Sequence, residues 1–252
     1  MEAYVKYHKE GSIGILEFGN PAGNSLPSPL LKELKASLIA LEKDAEVRVI
    51  MLQSFGNRAF CGGASLAEMK TLSSLNEATA FFMGFAEIIN TLRTLTKFVI
   101  GRVQGKVVGG GVGLVAACDY VLASTHAQVK LSELSIGIGP YVIEPAVSRK
   151  IGTTAFAQLS LDAHSWKSAK WGLEKGLYHA VYESQDELDA AVLANAKRLA
   201  EYPQKAVESL RKLHWKDTEH WETLLPKNAV ITGTLALEEV TQNILKTCKP
   251  NE

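Results

Sequence analysis

Two short glycine-rich turns, Phe60-Cys61-Gly62-Gly63-Ala64 and Gly109-Gly110-Gly111-Val112-Gly113, constrain this chain more than any other feature. Each follows an apolar, β-branched run that reads as a buried strand, 47–53 before the first and 98–103 before the second. Each then opens into an apolar pattern of helical period. Repetition of strand, turn and helix predicts a mixed α/β domain with a largely parallel sheet. Glycine clusters also let a backbone approach a ligand with its N–H groups exposed. Two such turns from separate parts of one domain can aim two peptide N–H groups at a single oxygen, which is how an oxyanion hole is built.

The rest of the chain is organised around these turns. Residues 4–8 and 13–18 read as a β-hairpin. A helix is expected from Pro29 to about Asp44, with Leu30, Leu34, Leu38 and Leu41 at helical spacing. Residues 75–95 carry a broad apolar face of Phe81, Phe82, Phe85, Ile88, Ile89 and Leu92. A very apolar helix is expected over 112–118, short strands over 120–123 and 128–131, and a helix over 145–151. Beyond Ile151 the strand signal fades, and 165–174, 187–200, 204–214 and 230–246 read as helices. Pro203 and Pro226 are expected as hinges between them.

Composition narrows the function classes. Across 252 residues, Lys+Arg and Asp+Glu are each 27, so no global field favours nucleic acid. The three cysteines, Cys61, Cys118 and Cys248, are odd in number and widely separated, which argues against a disulfide framework or a zinc site. Residues 1–10 are polar and mixed in charge and do not read as a signal peptide. The longest apolar stretches are too short to span a bilayer. A cytoplasmic protein with no membrane, nucleic-acid or metal partner is expected.

The second turn admits another reading. Gly111-Val112-Gly113-Leu114-Val115-Ala116 matches G-x-G-x-x-A, and Glu133 lies 20 residues after Gly113, as in a dinucleotide fingerprint. Yet residues 104–108 separate this turn from its strand, two strand patterns precede Glu133, and the first turn is left unexplained. There is no H-x-x-x-H, no G-x-S-x-G elbow and no phosphate loop. Cys61 is a candidate nucleophile by type, although a cysteine at a strand end is more often a small buried residue. Glu133, in Lys130-Leu131-Ser132-Glu133-Leu134, is the strongest acid candidate because it ends an expected strand shortly after the second turn. Glu144, just before Pro145, is a second; a first-turn carboxylate favoured by the helix dipole explains it equally well.

Taken together, Asn24-Ser25-Leu26, Phe60 to Ala64, Gln104-Gly105 through Asp119, Ser132-Glu133-Leu134, Ala169…Gly176-Leu177 and Pro203…Lys212 resemble the crotonase, or enoyl-CoA hydratase/isomerase, superfamily. The resemblance covers nearly the whole chain. It implies a ββα superhelical core over 1–195, with a C-terminal helical oligomerisation region over 196–252 that forms a homotrimer or a hexamer. It also implies an acyl-CoA thioester substrate, with coenzyme A as part of that substrate and no separate cofactor. By position, the N–H groups of Ala64 and Gly110 form the oxyanion hole, Cys61, Gly62, Gly63, Gly109 and Gly113 border the substrate, and Glu133 is the acid–base.

The chain departs from the family pattern at Gly113, where well-known hydratases carry a glutamate that helps position water; Ser65 also replaces a usual Asp. A single glutamate at the Glu133 position is what Δ3,Δ2-enoyl-CoA isomerases of the family commonly have. Against that, 109–119 with Ile138-Gly139-Pro140 and Ser148-Arg149-Lys150-Ile151-Gly152 looks like a subgroup of methylglutaconyl-CoA hydratases of leucine breakdown. Hydration of a 2-enoyl-CoA is therefore the expected reaction, isomerisation the alternative, and a non-catalytic acyl-CoA-binding trimer a third. Glu144 is a candidate for the carboxylate missing at Gly113. Phe81, Phe82, Trp166 and Trp221 are candidates for the acyl-tail pocket, with core packing the plainer role for each.

Overall fold

The structure, a computed structural model, describes residues 2–248. In chain order its elements are β1 (Tyr4–Glu10), β2 (Ile13–Gly19), α1 (Ser28–Lys43), β3 (Val49–Ser54), β4 (Ala59–Cys61), α2 (Leu66–Met69), α3 (Leu75–Thr94), β5 (Phe98–Val103), β6 (Lys106–Val108), α4 (Gly110–Ala117), β7 (Tyr120–Ser124) and β8 (Val129–Lys130). A 3-10 turn (Glu133–Ile136) follows, then α5 (Glu144–Ile151), α6 (Thr153–Leu161), α7 (Ala169–Glu174), β9 (Ala180–Tyr182), α8 (Gln185–Ala200), α9 (Gln204–His214), α10 (Trp221–Ala236) and α11 (Glu239–Thr247).

The large sheet has the order β1-β2-β3-β5-β7-β9, with β1 antiparallel to β2 and every other pair parallel. Both faces of its central strands are covered, which is why they read as continuous apolar runs. Ile13, Ile15, Val49, Met51, Ile100 and Leu122 pack against Leu188, Val192 and Ala196 of α8. The alternate residues Leu16, Phe18, Ile50, Leu52, Val99 and Val121 enter the main core with α1, α3 and α4.

The second sheet is small, parallel and ordered β4-β6-β8. It corrects the expectation that 47–53 and 98–103 feed the glycine turns. Those runs belong to the large sheet, and the chain crosses into β4 and β6 before each turn. Neighbouring parallel strands lie about 4.8 Å apart and end at the same edge. Three segments distant in sequence therefore emerge side by side: β4 delivers Gly62-Gly63-Ala64, β6 delivers Gly109-Gly110, and β8 delivers Glu133.

Other differences have local causes. The expected strand 128–131 contracts to Val129–Lys130, so Glu133 opens a 3-10 turn rather than ending a strand. The expected helix 165–174 begins only at Ala169, because the Ser168 side chain caps it by accepting the Trp171 N–H and Lys167 bridges to Val129. The expected helix 230–246 is two helices, with the Ala236 carbonyl at the break taking the Gln242 side-chain N–H. Pro226 is not a hinge: it lies inside α10, near its start, where packing of that helix along α3 offsets the missing backbone hydrogen bond. Pro203 does precede a helix, as N-cap of α9. A boundary between 195 and 196 falls inside α8, whose packing ties both sides of it to the large sheet.

Candidate active site

The C-terminal edge of the small sheet borders a cavity of about 1010 Å³. Its lining includes Gly62, Gly63, Ala64, Gly109, Gly110 and Glu133. Ala64 and Gly110, expected as the two halves of an oxyanion hole, thus border the same cavity. The Gly63–Ala64 segment is clamped by the neighbouring strand-like residue Leu26: the Leu26 N–H donates to the Gly63 carbonyl (2.8 Å), and the Ser65 N–H donates to the Leu26 carbonyl (3.3 Å). Gly63 adopts φ +82°, and a Cβ there would stand 2.9 Å from the Val108 carbonyl and 3.5 Å from the Gly110 nitrogen. That close approach of the two turns requires glycine. Gly110 is the first residue of α4, so its N–H has no partner within the helix and carries the positive end of the helix dipole.

Beneath β4, two buried amides hold one carbonyl. Asn24 Nδ2 and Gln104 Nε2 both donate to the Ala59 carbonyl, at 2.8 and 3.1 Å, and Gln104 Nε2 also donates to Ser54 Oγ at 2.9 Å. Asn24 and Gln104 appear in the sequence only as parts of family-like motifs; their shared target is visible only after folding.

Among the described residues, Glu133 carries the one carboxylate in the cavity lining. Part of the residue is exposed, but its Oε2 is sealed from solvent and has no hydrogen-bond partner among the described residues. Burial pushes its pKa up to about 7, opposed by a contact with its own backbone N–H. Its Oε1 rests on Gly109, where φ is +51° and a Cβ would come within 2.9 Å of that oxygen. A carboxyl group with a pKa near neutrality can both take and return a proton, as acid–base chemistry requires.

Most of the remaining candidates fall away from the cavity. Cys61 is fully buried behind the turn, its sulfur accepting the Gly63 N–H at 3.4 Å, and desolvation pushes its thiol up to about 12. It is a packing residue, not a nucleophile or a substrate contact. A Cβ at Gly111 would meet the Cys61 Cβ at 2.7 Å, and one at Gly113 would meet Ile143 Cγ2 at 2.4 Å. These two glycines let α4 be enclosed on several sides, so Gly113 does not border the cavity. Glu144 does not line it either; α5 starts there, and the preceding Val142 and Ile143 supply the lining. Among the tail-pocket candidates, Phe82 and Trp166 line the cavity, whereas Phe81 and Trp221 belong to the core.

The cavity has chemically distinct ends. Arg58, Lys106, Lys130 and His126 lie among polar lining residues, and the ammonium groups of Lys106 and Lys130 sit 5.1 and 4.8 Å from the centre of the Trp166 ring. Leu66, Met69, Phe82, Phe85, Val142 and Ile143 form an apolar portion. Among the described residues, no three His, Cys, Asp or Glu side chains cluster as metal ligands. None of the described helices is long and apolar enough to cross a membrane.

Comparison with known proteins places this geometry in context. The sequence model of the enoyl-CoA hydratase/isomerase family matches residues 8–231. The chain is 31% identical over 189 residues to a short-chain-enoyl-CoA hydratase of Clostridium acetobutylicum, covering 74% of this chain and 72% of that one. It is 33% identical over 196 residues to the human mitochondrial methylglutaconyl-CoA hydratase, covering 75% of this chain and 57% of that one. The crystal structure of an enoyl-CoA hydratase from Bacillus halodurans superposes with a TM-score of 0.90 at 20% identity, covering 97% of this chain and all of that one, and so shows the same fold.

Proposed function

The chain belongs to the enoyl-CoA hydratase/isomerase family, and from that premise we propose that it adds water across the C2–C3 double bond of a 2-enoyl-CoA, with Glu133 as its one acid–base group. The observation that carries this reading is the Glu133 carboxylate at the same sheet edge as Ala64 and Gly110, its Oε2 sealed and without a hydrogen-bond partner among the described residues. In this scheme the Ala64 and Gly110 N–H groups donate to the thioester oxygen. The Glu133 carboxylate takes a proton from water as the water oxygen bonds to C3, and negative charge builds on the thioester oxygen as an enolate. The Glu133 carboxylic acid then returns the proton to C2, which restores the catalyst. Donors already in place act most strongly on the charge that develops, each typically contributing about 10²–10³ in rate.

Arg58, Lys106 and Lys130 suit the phosphates of coenzyme A, and Trp166 offers a flat apolar surface beside them. The scheme needs no group beyond the coenzyme A that arrives with the substrate. The proposed setting is the cytoplasm, and the proposed assembly is a homotrimer or a hexamer. Exposed Leu210 and Leu213 on α9 are candidates for its contacts.

A second reading has its own observation. Ile143 fills the space beside Gly113, so no second carboxylate holds water there. Glu133 alone would then move a proton from C2 to C4, making the protein a Δ3,Δ2-enoyl-CoA isomerase. Incubation with crotonyl-CoA, 3-methylglutaconyl-CoA and 3-hexenoyl-CoA, followed by chromatographic separation of isomers and by mass, separates the two. A gain of 18 mass units on crotonyl-CoA or 3-methylglutaconyl-CoA is the expected result, and the arm that gains it reports whether the acyl group is branched and carboxylated. Rearranged 3-hexenoyl-CoA at unchanged mass, without hydration, would overturn hydration in favour of isomerisation. No turnover in any arm would leave a non-catalytic acyl-CoA-binding protein.

A further inference from the structure

Among the described residues no side chain hydrogen-bonds the Glu133 carboxylate, so its position depends on the backbone of the 3-10 turn it opens. That turn closes at Gly137, whose N–H donates to the carbonyl of Leu134 (3.3 Å), while the Ile138 N–H donates to that of Glu133 (3.1 Å). The Gly137 carbonyl in turn accepts the hydroxyl of Thr241, at 3.1 Å, from α11 over a hundred residues later. Thr241 is fully buried, and a Cβ at Gly137 would stand 2.4 Å from its hydroxyl oxygen. This is a close contact between the C-terminal helix and the turn bearing the acid–base group.

The other end of α11 has its own anchor. The Lys70 ammonium donates to the Cys248 carbonyl at 2.8 Å, and Cys248 lines the cavity. Lys70 is the C-cap of α2, the short helix whose N-cap, Ser65, directly follows Ala64. One nine-residue helix therefore touches the Glu133 turn at one end and the oxyanion-hole side at the other. Of the apolar residues of α11, only Leu245 is fully buried; Ile244 is half-buried and Val240 exposed. These two polar contacts, with the Gln242 side-chain bond to the Ala236 carbonyl of α10, thus share in fixing α11 on the core.

We propose that α11 is a positioning strap across the site, in which Thr241 holds the turn carrying Glu133 and Lys70 holds the far end of the same helix to α2, so that the acid–base and oxyanion halves keep one spacing. Thr241 and Lys70 are positioning residues; neither is assigned a contact with the reacting atoms. The proposal rests on Glu133 being the acid–base group but is indifferent to whether water adds or a double bond moves.

The test uses the full chain with Thr241→Val, Thr241→Ser, Lys70→Met and the Thr241→Val/Lys70→Met double variant. Displacing a catalytic group by an ångström lowers turnover by up to about 10²-fold. Thr241→Val and Lys70→Met are each expected to lower kcat roughly tenfold with KM within about twofold. Thr241→Ser, which keeps the hydroxyl, is expected to restore kcat. In the double variant the loss should fall well short of the product of the single losses, because both changes release one strap. Wild-type kcat in either single variant, a Thr241→Ser as slow as Thr241→Val, or fully multiplicative losses would overturn the proposal.

A second measurement needs no turnover: a titration of carbon-13-labelled carboxyl groups by NMR, with the Glu133 signal assigned through Glu133→Gln. In Thr241→Val its midpoint should fall from about 7 towards the ordinary carboxylate range as water reaches the loosened turn. An unchanged midpoint would count against the strap even in a protein that turns over. A shifted midpoint in a protein that hydrates nothing would overturn the proposed reaction and leave the strap standing.

Discussion

Two acidic side chains of this protein sit largely out of water, and they are treated in opposite ways. Asp119, with its side chain 6% exposed, accepts hydrogen bonds from the Val99 N–H, Arg211 Nε and Trp215 Nε1. Arg211 in turn donates to the carbonyls of Leu92, Arg93 and Leu95 at the end of α3. Every charge there is answered, and the cluster locks α3, α4 and α9 together. Glu133 has a sealed oxygen with no partner, and its pKa rises to about 7. A satisfied carboxylate stabilises a fold and does no chemistry; an unsatisfied one, when ionised, destabilises the folded state and is left ready to move a proton.

Exchanging each acid for its amide should separate these roles. Glu133→Gln is expected to lower kcat by about 10³–10⁴-fold, at the upper end of what acid–base catalysis contributes, with the fold intact by circular dichroism. Its stability should change with a definite sign. Because burial raises the Glu133 pKa, the folded chain holds that proton more tightly than the unfolded chain does. The resulting stabilisation is complete below the unfolded value and is lost as pH rises through about 7. Glutamine should therefore stabilise at pH 8, by up to roughly 3 kcal/mol and less as solvent reaches the rest of the side chain, and change little at low pH. Denaturant melts at the two pH values measure this.

Asp119→Asn reverses the pattern. Leaving Arg211 buried without its partner should destabilise by about 3–5 kcal/mol, while kcat per folded molecule stays near wild type. Loss of activity at unchanged stability would erase the distinction between the two acids.

Smaller changes sharpen it. Gly109→Ala forces a side chain onto φ +51° and towards Glu133 Oε1, and should reduce kcat by about 10–100-fold. Gly113→Ala collides with Ile143 instead, and should destabilise by roughly 1–3 kcal/mol without slowing the folded enzyme. Glu144→Gln should leave kcat within about twofold, since Glu144 does not line the cavity.

How far the sequence reveals these roles depends on what each residue responds to. The helices over 28–43 and 75–94 are legible because each buries a stripe of regular period, and that over 204–214 because its apolar residues recur at helical spacing even though only Val207 and Arg211 are buried. The glycine turns are legible as local clusters, and Glu133 as an acid shortly after the second of them, although it opens a 3-10 turn instead of ending a strand. Which glycines face the cavity and which face protein is not, because Gly111 and Gly113 are explained by Cys61 and Ile143, residues distant in sequence. The small sheet is hidden for a similar reason: β4, β6 and β8 are two or three residues long and carry no periodicity of their own. Glu144 attracts attention through proximity in sequence to Glu133, but the start of α5 there leaves the cavity lining to Val142 and Ile143. Thr241 has no signal at all before folding brings it to Gly137.

The most direct test of Glu133 as the single acid–base group is the pH dependence of kcat/KM for the substrate identified by mass. One limb with a midpoint near 7, rising with pH and absent from the residual activity of Glu133→Gln, is the expected result. A midpoint in the ordinary carboxylate range, or a limb that survives in Glu133→Gln, would contradict it.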